Sequence, residues 1–368
     1  MKIGMFSETY IPTPDGVAYQ IWNLRNELVR QGNDVYVFTC GRKWYEVENK
    51  TYRFFSVTLP QYKQYMFALF PYLKIRTIVK KIDLDVIHIH TPFSIGLAGY
   101  LAKENRAFVG TFHTNLKEQQ MNFRGILGSK TLMKPVWKYA LGLYKRCDVI
   151  TTPSERVKKF LQQEGLERDI QVVWNGVDAD KLRAHTTSID IRDFYKLKHK
   201  YIIAYIGRIS VDKGLDALIQ AMKTVKDYNA VLVIGGIGPK ENDFKILSKN
   251  LGLEDNVKFL GYVKEEHKPA ILAQSDIFIL PSKGDVQPVA VMEAMCCGTA
   301  IVGSNAGGIP DLVKHNENGL LFSYGNVEEL TDRLITLIQN DSLRKKLRDN
   351  GMRFALSSCT IEQSALHF

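Results

Sequence analysis

Short apolar runs alternate with amphipathic segments along the first half of the chain. The segment after the first run places Ile21, Leu24 and Leu28 on one helical face and reaches Gly32, as in a helix that ends at a glycine. Near-continuous apolar runs that are each followed by a helical segment predict strands buried on both faces of a parallel sheet. The runs are KIGMFS, DVYVFTC, DVIHIH, AFVGTFH and DVITTP.

The same rhythm restarts in the second half, with the runs YIIAYIGRI, AVLVIGGIG, VKFLGYV, DIFILPS and TAIVGS. Two such series predict an α/β fold with two doubly wound, Rossmann-like domains. We expect residues 1–178 to form the first domain, completed by a C-terminal helix within 352–368, and residues 179–351 to form the second. Ligands of such sheets lie beyond the carboxyl ends of the strands, so we expect a site in a deep cleft between the domains.

The composition is that of an ordinary globular protein, with 45% hydrophobic and 24% charged residues among 368. No secretory signal pattern opens the sequence, and no apolar run of about 18 residues predicts a membrane-spanning helix. The five cysteines lack paired spacing, so we expect neither a disulfide framework nor a zinc site. These features predict a cytoplasmic protein, either soluble or peripheral on the inner face of the cell membrane.

Basic residues are concentrated in the first half of the chain. Residues 1–178 contain 25 Lys and Arg against 16 Asp and Glu, whereas the remainder is nearly balanced, with 24 against 23. Residues 59–81 mix five aromatic with five basic residues, and residues 121–146 form a second basic and aromatic stretch. Such stretches suit an anionic membrane surface. The alternative is a pair of amphipathic helices that cover the sheet with their cations outward. Nucleic acid is less expected, because neither stretch lies on a recognisable binding module.

Chemically suggestive residues follow the predicted strands. Gly16 precedes the first helix, where a glycine lets a ligand approach the backbone, although an ordinary turn glycine would look the same. Arg208 and Lys213 follow the first strand of the second series and can clamp a diphosphate, or they are two solvated loop cations. Asp285 precedes a predicted helix that contains Glu293, and paired carboxylates suit a polyhydroxylated ligand.

Two other patterns are weaker. Neither the first loop nor GGIGPK carries the G-x-G-x-x-G fingerprint of dinucleotide-binding enzymes. The sequence DLD at 83–85 is like a metal-binding D-x-D motif, but it introduces the apolar run DVIHIH and is more simply the start of a strand. We therefore expect no essential metal. His88 and His90 alternate with isoleucines on that strand and are expected to pack or to line the cleft.

Taken together, the motifs resemble those of the GT-B glycosyltransferases of family 4, over essentially the whole chain. The matching stretches, in family order, are PDGVA, GTFHT, NGVD, GRISVDKG, GGIGP, FLGYV and DVQPVAVMEAMCCGTAIVGSNAGGIPD. The resemblance implies a transferase that moves a hexose with retention of configuration. It also implies a nucleotide-sugar donor, with a UDP-sugar favoured over a GDP-sugar, and no permanently bound cofactor.

The resemblance also assigns roles to individual residues. Arg208 and Lys213 would neutralise the donor diphosphate, and Glu293 would hold the nucleotide ribose. His113 would meet the transferred sugar near its reacting carbon, and Asp285 would face the same sugar. The expected catalytic residues are thus His113, Arg208, Lys213 and Asp285. The expected donor-binding residues are Gly16, Gly207, Arg208, Lys213, Val263 at the base, Asp285, Val289 and Glu293.

One residue departs from the family pattern, and the acceptor stays open. The family usually has Glu where this chain has Asp285, which is one methylene shorter. TFHTNLKEQ and PSERV are most similar to enzymes that glycosylate diacylglycerol, so we expect a membrane lipid acceptor. A polysaccharide or a lipid-linked oligosaccharide is the rival acceptor. The alternative of another class is a catalytically weakened GT-B protein that acts as a binding partner.

Overall fold

Two sheets organise the chain, and each belongs to its own compact unit. The computed structural model describes residues 1–13, 16–59, 62–69, 71–113 and 130–366. The first unit takes the described residues up to Gly176 together with those from Ile361 onward, and the second takes Val177–Thr360.

The first unit is built on a mostly parallel sheet. Its described strands run in the order β3-β4-β2-β1-β6-β7-β8-β9, and β5 pairs with β4. Among these described strands, β3 and β5 run antiparallel to their neighbour β4. The strands are β1 Lys2–Ser7, β2 Asp34–Gly41, β3 Tyr45–Glu48, β4 Thr51–Leu59, β5 Tyr62–Ala68, β6 Val86–Ile89, β7 Ala107–Thr111, β8 Val149–Thr152 and β9 Ile170–Val172.

Helices cover this sheet in the manner the apolar spacing predicts. Ile21, Leu24 and Leu28 of the first helix are buried against strands β1 and β2 in one core cluster. The same cluster contains Ala365, from the last helix of the chain. The helices of the first half are α1 Gly16–Arg30, α2 Tyr72–Ile82, α3 Ser94–Ala102, α4 Lys130–Tyr144 and α5 Glu155–Gln163.

The second unit has a six-stranded sheet in which every pairing is parallel. Its order, β12-β11-β10-β13-β14-β15, starts in the middle and reverses once, which is the doubly wound Rossmann order. Its central strands are buried along their length because helices cover both faces of the sheet. The strands are β10 Tyr201–Ile206, β11 Ala230–Gly235, β12 Val257–Gly261, β13 Ile277–Leu280, β14 Ala300–Ser304 and β15 Leu320–Phe322.

The helix after β10 buries the face that its spacing predicts, Leu215, Leu218, Ile219 and Met222. The fold class predicted from the sequence, two Rossmann-like α/β domains, is therefore confirmed. The helices from Val177 onward are α6 Ala179–Ala184, α7 Ile191–Phe194, α8 Leu215–Val225, α9 Glu241–Asn250, α10 Lys268–Ala273, α11 Val289–Cys296, α12 Ile309–Leu312, α13 Val327–Gln339, α14 Asp341–Ser358 and α15 Ile361–Ala365.

The return of the chain to the first unit comes later than position 352. Helix α14 packs on α11 and β14 and buries Leu347, Gly351 and Ala355, so it stays with the second unit to its end. The Val177 amide then donates to the carbonyl of Cys359 at 2.9 Å, and α15 follows. A C-terminal helix within 352–368 does belong to the first unit, but the first unit takes only the residues from Ile361 onward.

The described parts of the two basic and aromatic stretches include helices of the covering kind, which was the alternative expected for them. Within residues 59–81, β5 and α2 are separate elements, and positions 60, 61 and 70 lie outside the described residues. Helix α2 buries Ile75 and Val79 beneath its cations, which is the covering-helix arrangement. Of residues 121–146, the first nine lie outside the described residues, and α4 buries Trp137. None of the helices described is both long and apolar enough to cross a bilayer.

Candidate active site

The loop after β10 is held by backbone contacts that only glycine permits. The Gly207 amide donates to the Gly235 carbonyl at 3.0 Å, and Gly236 has φ of +135° with its α-carbon against the Gly207 carbonyl. A side chain at Gly236 would overlap that carbonyl oxygen. The buried hydroxyl of Tyr205 donates to the Arg208 carbonyl at 2.8 Å. The position of the Arg208 backbone at the carboxyl end of the sheet is therefore fixed from two sides.

Lys213 ends the same loop and binds Asp285. Its Nζ lies 2.7 Å and 2.8 Å from the two carboxylate oxygens of Asp285 and 3.6 Å from Oδ2 of Asp212. The Lys213 side chain is 13% exposed and that of Asp285 is 22% exposed. Gly214, with φ of +63°, lies so close to the Pro281 carbonyl oxygen that a side chain would overlap it. This close approach brings the ends of β10 and β13 together.

The glycine turn after β14 fixes Asp285 from the other side. The Gly308 amide donates to the Asp285 carbonyl at 2.7 Å, and a side chain at Gly307, where φ is +55°, would overlap the same carbonyl oxygen. Two loops that are distant in sequence thus hold Asp285. Lys213 binds its carboxylate oxygens, and the glycine turn binds its backbone carbonyl.

Glu293 lies in the second turn of α11 and has a partner that the sequence did not indicate. Lys268, the first residue of α10, places its Nζ 2.7 Å from Oε1 of Glu293 and 2.9 Å from Oε2 of Glu265. Burial raises the pKa of Glu293 above its ordinary value, although Lys268 acts in the opposite direction. Burial disfavours the charge of Lys268, but the two carboxylates outweigh it and raise the pKa of that amine. Lys268 stands 25 positions from Glu293, and no spacing rule links them.

The other residues expected to bind the donor make fewer contacts that indicate a role. Val263 is 9% exposed, and its Cγ2 lies against Gly235, where a β-carbon would come within 2.7 Å. Val289 begins α11 and is half-buried. In the first unit, Gly16 begins α1, and a β-carbon there would meet no described atom within 4 Å. The backbone gives no steric reason for glycine at 16, so its contact with a ligand stays a prediction.

His113 belongs to a cluster of three imidazoles at the carboxyl edge of the first sheet. Its Nε2 lies 2.9 Å from Nδ1 of His90, and the rings of His90 and His88 are 4.1 Å apart. His88 Nε2 lies 2.6 Å from Oγ1 of Thr111. His90 thus contacts the expected catalytic histidine directly, a role that the sequence reasoning missed. The available signal was that β6 and β7 are consecutive parallel strands whose ends meet at one edge.

The imidazole cluster is neutral. Burial lowers the pKa of His88 to about 3 and that of His113 to about 4, and it places the pKa of His90 well below its ordinary value. His90 Nε2 is buried with no hydrogen-bond partner among the described atoms. An unpaired acceptor nitrogen costs less than an unpaired N–H donor, because buried N–H groups are rarely left orphaned. Either ring nitrogen can be the donor in this contact, depending on the tautomer. We expect His90 to donate from Nδ1 to Nε2 of His113, which would leave the His113 proton on Nδ1.

The DLD motif has a structural role at both aspartates. Asp83 ends α2 with φ of +58° and pairs with Arg106 at 3.2 Å, whereas the Asp85 carboxylate accepts the Lys2 amide at 2.7 Å. The two side chains thus serve the start of β6. Within the described ranges, no group of three or more His, Cys, Asp and Glu side chains is placed to hold a metal ion.

Two Rossmann-like units, with a cation and carboxylates at the strand ends of the second, define a glycosyltransferase of the GT-B class. Residues 14–181 match the family model described as Glycosyltransferase Family 4, and residues 187–354 match the model described as Glycosyl transferases group 1. The chain belongs to the family 4 glycosyltransferases, as the motifs predict.

Its relatives act on different acceptors. The chain is 28% identical over 348 residues to the alpha-monoglucosyldiacylglycerol synthase of Streptococcus pneumoniae, covering 88% of this chain and 76% of that protein. It is 27% identical to the N-acetyl-alpha-D-glucosaminyl L-malate synthase of Bacillus anthracis, covering 95% and 91%. The crystal structure of Anabaena HepE with UDP-glucose superposes with a TM-score of 0.78 at 20% identity, covering 100% and 98%. That likeness concerns the fold alone.

Proposed function

We propose that this protein transfers a hexose, with retention, from a UDP-sugar to a hydroxyl group of a membrane lipid such as diacylglycerol. The observation that carries the donor half of the proposal is the Lys213–Asp285 pair at the strand ends of the second unit, with both oxygens of the carboxylate bound to one ammonium. A largely buried ammonium whose partner is a carboxylate is already prepared for an anion.

A donor diphosphate would take the place of Asp285 beside Lys213, with Arg208 in the same loop as the second cation. The displaced carboxylate of Asp285 is then an acceptor for sugar hydroxyls, which a carboxylate can bind in pairs. The glycine turn keeps the backbone of Asp285 in place during this exchange, because the Gly308 amide holds its carbonyl. Anabaena HepE, which shares the fold, forms a complex with UDP-glucose. In this proposal we take uracil as the base of the donor.

The chemistry we assign is front-face displacement. The bond between the sugar carbon and the diphosphate oxygen breaks, the acceptor oxygen bonds to the same face of that carbon, and the acceptor proton passes to the leaving diphosphate. Lys213 and Arg208 stabilise the charge that develops on the diphosphate. His113 is neutral, so it serves as a hydrogen-bond donor to the transferred sugar through Nδ1 rather than as a cation.

A lipid acceptor is favoured by the named activity of the Streptococcus pneumoniae relative and by one surface of the first unit. We call it the Trp44 surface: the side chains of Trp44 and Leu73, which are 82% and 74% exposed, Leu69, and the cations Lys74 and Arg76. Lys74 Nζ lies 3.2 Å from the centre of the Tyr45 ring, which links α2 to β3. Exposed apolar side chains beside cations suit an anionic lipid surface.

The direct test is transfer from radiolabelled UDP-glucose to diacylglycerol in mixed vesicles, with a GDP-sugar and a glycan acceptor as parallel arms. We expect a glucolipid product, and the coupling constant of its anomeric proton reports whether configuration is retained. Nucleotide binding without transfer to any acceptor would instead support a binding partner with weakened catalysis.

The membrane step has its own test, sedimentation with vesicles of increasing anionic lipid content. Replacing Trp44 and Leu73 together by Ser should weaken binding by roughly tenfold or more, since burying one such side chain is worth about 1.5–3 kcal/mol. Ile246→Ser is the matched control, because this residue is 59% exposed on the second unit. Failure of the wild-type protein to bind such vesicles would point to a soluble acceptor, whereas equal binding by all variants would rule out the Trp44 surface as the membrane contact. Binding through this basic surface should also weaken with salt.

A further inference from the structure

We propose that Lys268 is a positioning residue for the donor: it keeps the buried Glu293 ionised and oriented, so that the Glu293 carboxylate can receive the ribose hydroxyls of the nucleotide across the neutral pH range. The inference rests on the proposed function, because it takes the ligand of Glu293 to be a nucleotide ribose. It concerns a residue that no sequence motif marked.

The contact geometry is specific. Lys268 begins α10, followed by Pro269, and α10 packs on α11, which carries Glu293. The Lys268 and Glu293 side chains are 14% and 13% exposed, and their charged atoms are 2.7 Å apart. Lys268 binds Oε1, and we assign the other oxygen, Oε2, to the ligand. A carboxylate that is held by one oxygen and open at the other can accept hydrogen bonds from two neighbouring hydroxyls.

Lys268 is the cation that acts on Glu293 within the described parts of the chain. Burial and the like charge of Glu265 both raise the pKa of Glu293 and so act against its ionisation, whereas Lys268 acts for it. Cys296 and Cys297 lie just beyond Glu293, and burial raises the pKa of each thiol to about 12, so both stay neutral.

The other elements packed on α11 contribute little charge to this site. Strands β13 and β14 carry no ionisable side chain. From α6, Arg183 acts on Cys296 rather than on Glu293. On α14, Arg344 pairs with Asp276 and Asp341, and Arg348 pairs with Asp349. Lys345 and Lys346 of the same helix are exposed to solvent.

Without Lys268, burial and Glu265 would act on Glu293 unopposed. The carboxyl group would then take up a proton at a higher pH, and its protonated form has lost an acceptor for the ribose. Ligand binding needs the ionised form of Glu293, so the affinity for the ligand falls as the pH falls. Each unit by which the pKa of Glu293 exceeds the assay pH costs about tenfold in the ionised fraction.

The experiment is a pH series of UDP affinity, measured by calorimetry between pH 6 and pH 8.5, for the wild-type protein and for Lys268→Met and Lys268→Arg. The terminal phosphate of UDP itself titrates at about pH 6, so each variant is compared with the wild type at the same pH. We expect Lys268→Arg to follow the wild type. The affinity of Lys268→Met relative to the wild type should be about tenfold lower at pH 6 than at pH 8.5. Lys264→Met is the matched control, because Lys264 is 65% exposed in the same segment and pairs with the exposed Glu266 at 3.7 Å.

A second variant keeps the test decisive if Lys268→Met does not fold. Glu265→Gln removes the competing carboxylate at a side chain that is 47% exposed, so in a series extended below pH 6 it should hold UDP more tightly than the wild type does at the low-pH end. A uniform loss of affinity at every pH in Lys268→Met, or no change in Glu265→Gln, would refute the positioning role.

The ribose itself is tested with 2′,3′-dideoxy-UDP. Because this ligand lacks the hydroxyls, wild type and Lys268→Met should bind it equally. A wild-type protein that binds no nucleotide would refute the proposed function, whereas nucleotide binding with unchanged pH dependence in Lys268→Met would refute this inference alone.

Discussion

The imidazole cluster of the first unit and the ion pairs of the second solve the same electrostatic problem in opposite ways. Both place ionisable side chains at or near the carboxyl ends of parallel strands, largely out of water. His88, His90 and His113 lose their charge, because burial lowers the pKa of each. Lys213 and Asp285 instead form an ion pair, with Nζ and a carboxylate oxygen 2.7 Å apart. Burying a charge is costly unless it is paired, so a site either neutralises or pairs its groups.

The difference separates two chemical capacities. A neutral imidazole cluster can offer a directed hydrogen bond but cannot compensate a diphosphate. A paired lysine can exchange its carboxylate for a phosphate, and the released carboxylate is then available for hydroxyl groups. The first unit is thus suited to orienting a sugar, and the second to holding an anion. The predictions that follow test whether this division is correct.

The largest effect is expected for Lys213→Met. The side chain keeps its length but loses the charge that the diphosphate needs, so turnover should fall by about 10²–10³-fold, as for other groups that stabilise developing negative charge. The fold should persist, since Asp285 is 22% exposed and water can reach it. Turnover of UDP-glucose measures the effect. Lys283→Met is the control, an exposed lysine two residues before Asp285. Near-normal turnover in Lys213→Met would end the assignment of the diphosphate to this unit.

A smaller effect is expected for His90→Phe. Phenylalanine retains the aromatic ring but cannot donate to Nε2 of His113, so the proton of His113 is no longer fixed on Nδ1. We expect turnover to fall by roughly tenfold to hundredfold, the range for losing a group that orients a functional histidine. Nitrogen-15 chemical shifts of the histidines report the tautomer independently of activity. His185→Phe, at the C-terminal end of α6, should change neither readout.

If the nitrogen-15 shifts place the His113 proton on Nε2 in the wild-type protein, the hydrogen bond runs in the opposite direction. His90 would then accept from His113, and the first unit would lose the donor that we assign to it. Unchanged turnover in His90→Phe would instead indicate that the imidazole cluster contributes only to core packing.

The two sheets are predictable from the sequence because buried parallel strands need continuous apolar runs, which are a local property. Strand β3 is not, because its residues are exposed or half-exposed and it pairs antiparallel with β4 at the edge of the sheet. The motifs lead to Lys213, Asp285, Glu293 and His113 as candidates. They do not predict which of these bind which, because ion pairs depend on side chains that only the fold brings together.

Lys268 and His90 show why this part of the site cannot be predicted from the sequence. Lys268 lies on a different helix from its partner Glu293, and a lone lysine before a proline carries no local signal. The strand pattern predicts packing for His90, which its burial supports, but its ring nitrogen also contacts His113. The glycine turn at 307–308 is part of a family motif, and its reason is physical: it leaves space for the Asp285 carbonyl.

The smallest effect is expected for Asp285→Glu. This variant is the most sensitive test of the division of roles between the two units. The family pattern that the motifs resemble has glutamate at this position, and the shorter aspartate in this chain binds Lys213 with both oxygens. An added methylene moves the carboxylate along the side chain by one carbon–carbon bond, or about 1.5 Å. The ion pair can re-form, because Lys213 is flexible, so the diphosphate affinity should hardly change.

What should change in Asp285→Glu is the choice of hexose. The ratio of kcat/KM values between UDP-glucose and UDP-galactose should shift several-fold, within the roughly 1–3 kcal/mol that one misplaced contact is worth. Measuring both donors with the wild type and the variant separates the outcomes. A shifted ratio with unchanged UDP affinity assigns Asp285 to the sugar, whereas a loss of UDP affinity with an unchanged ratio assigns it to the anion side together with Lys213.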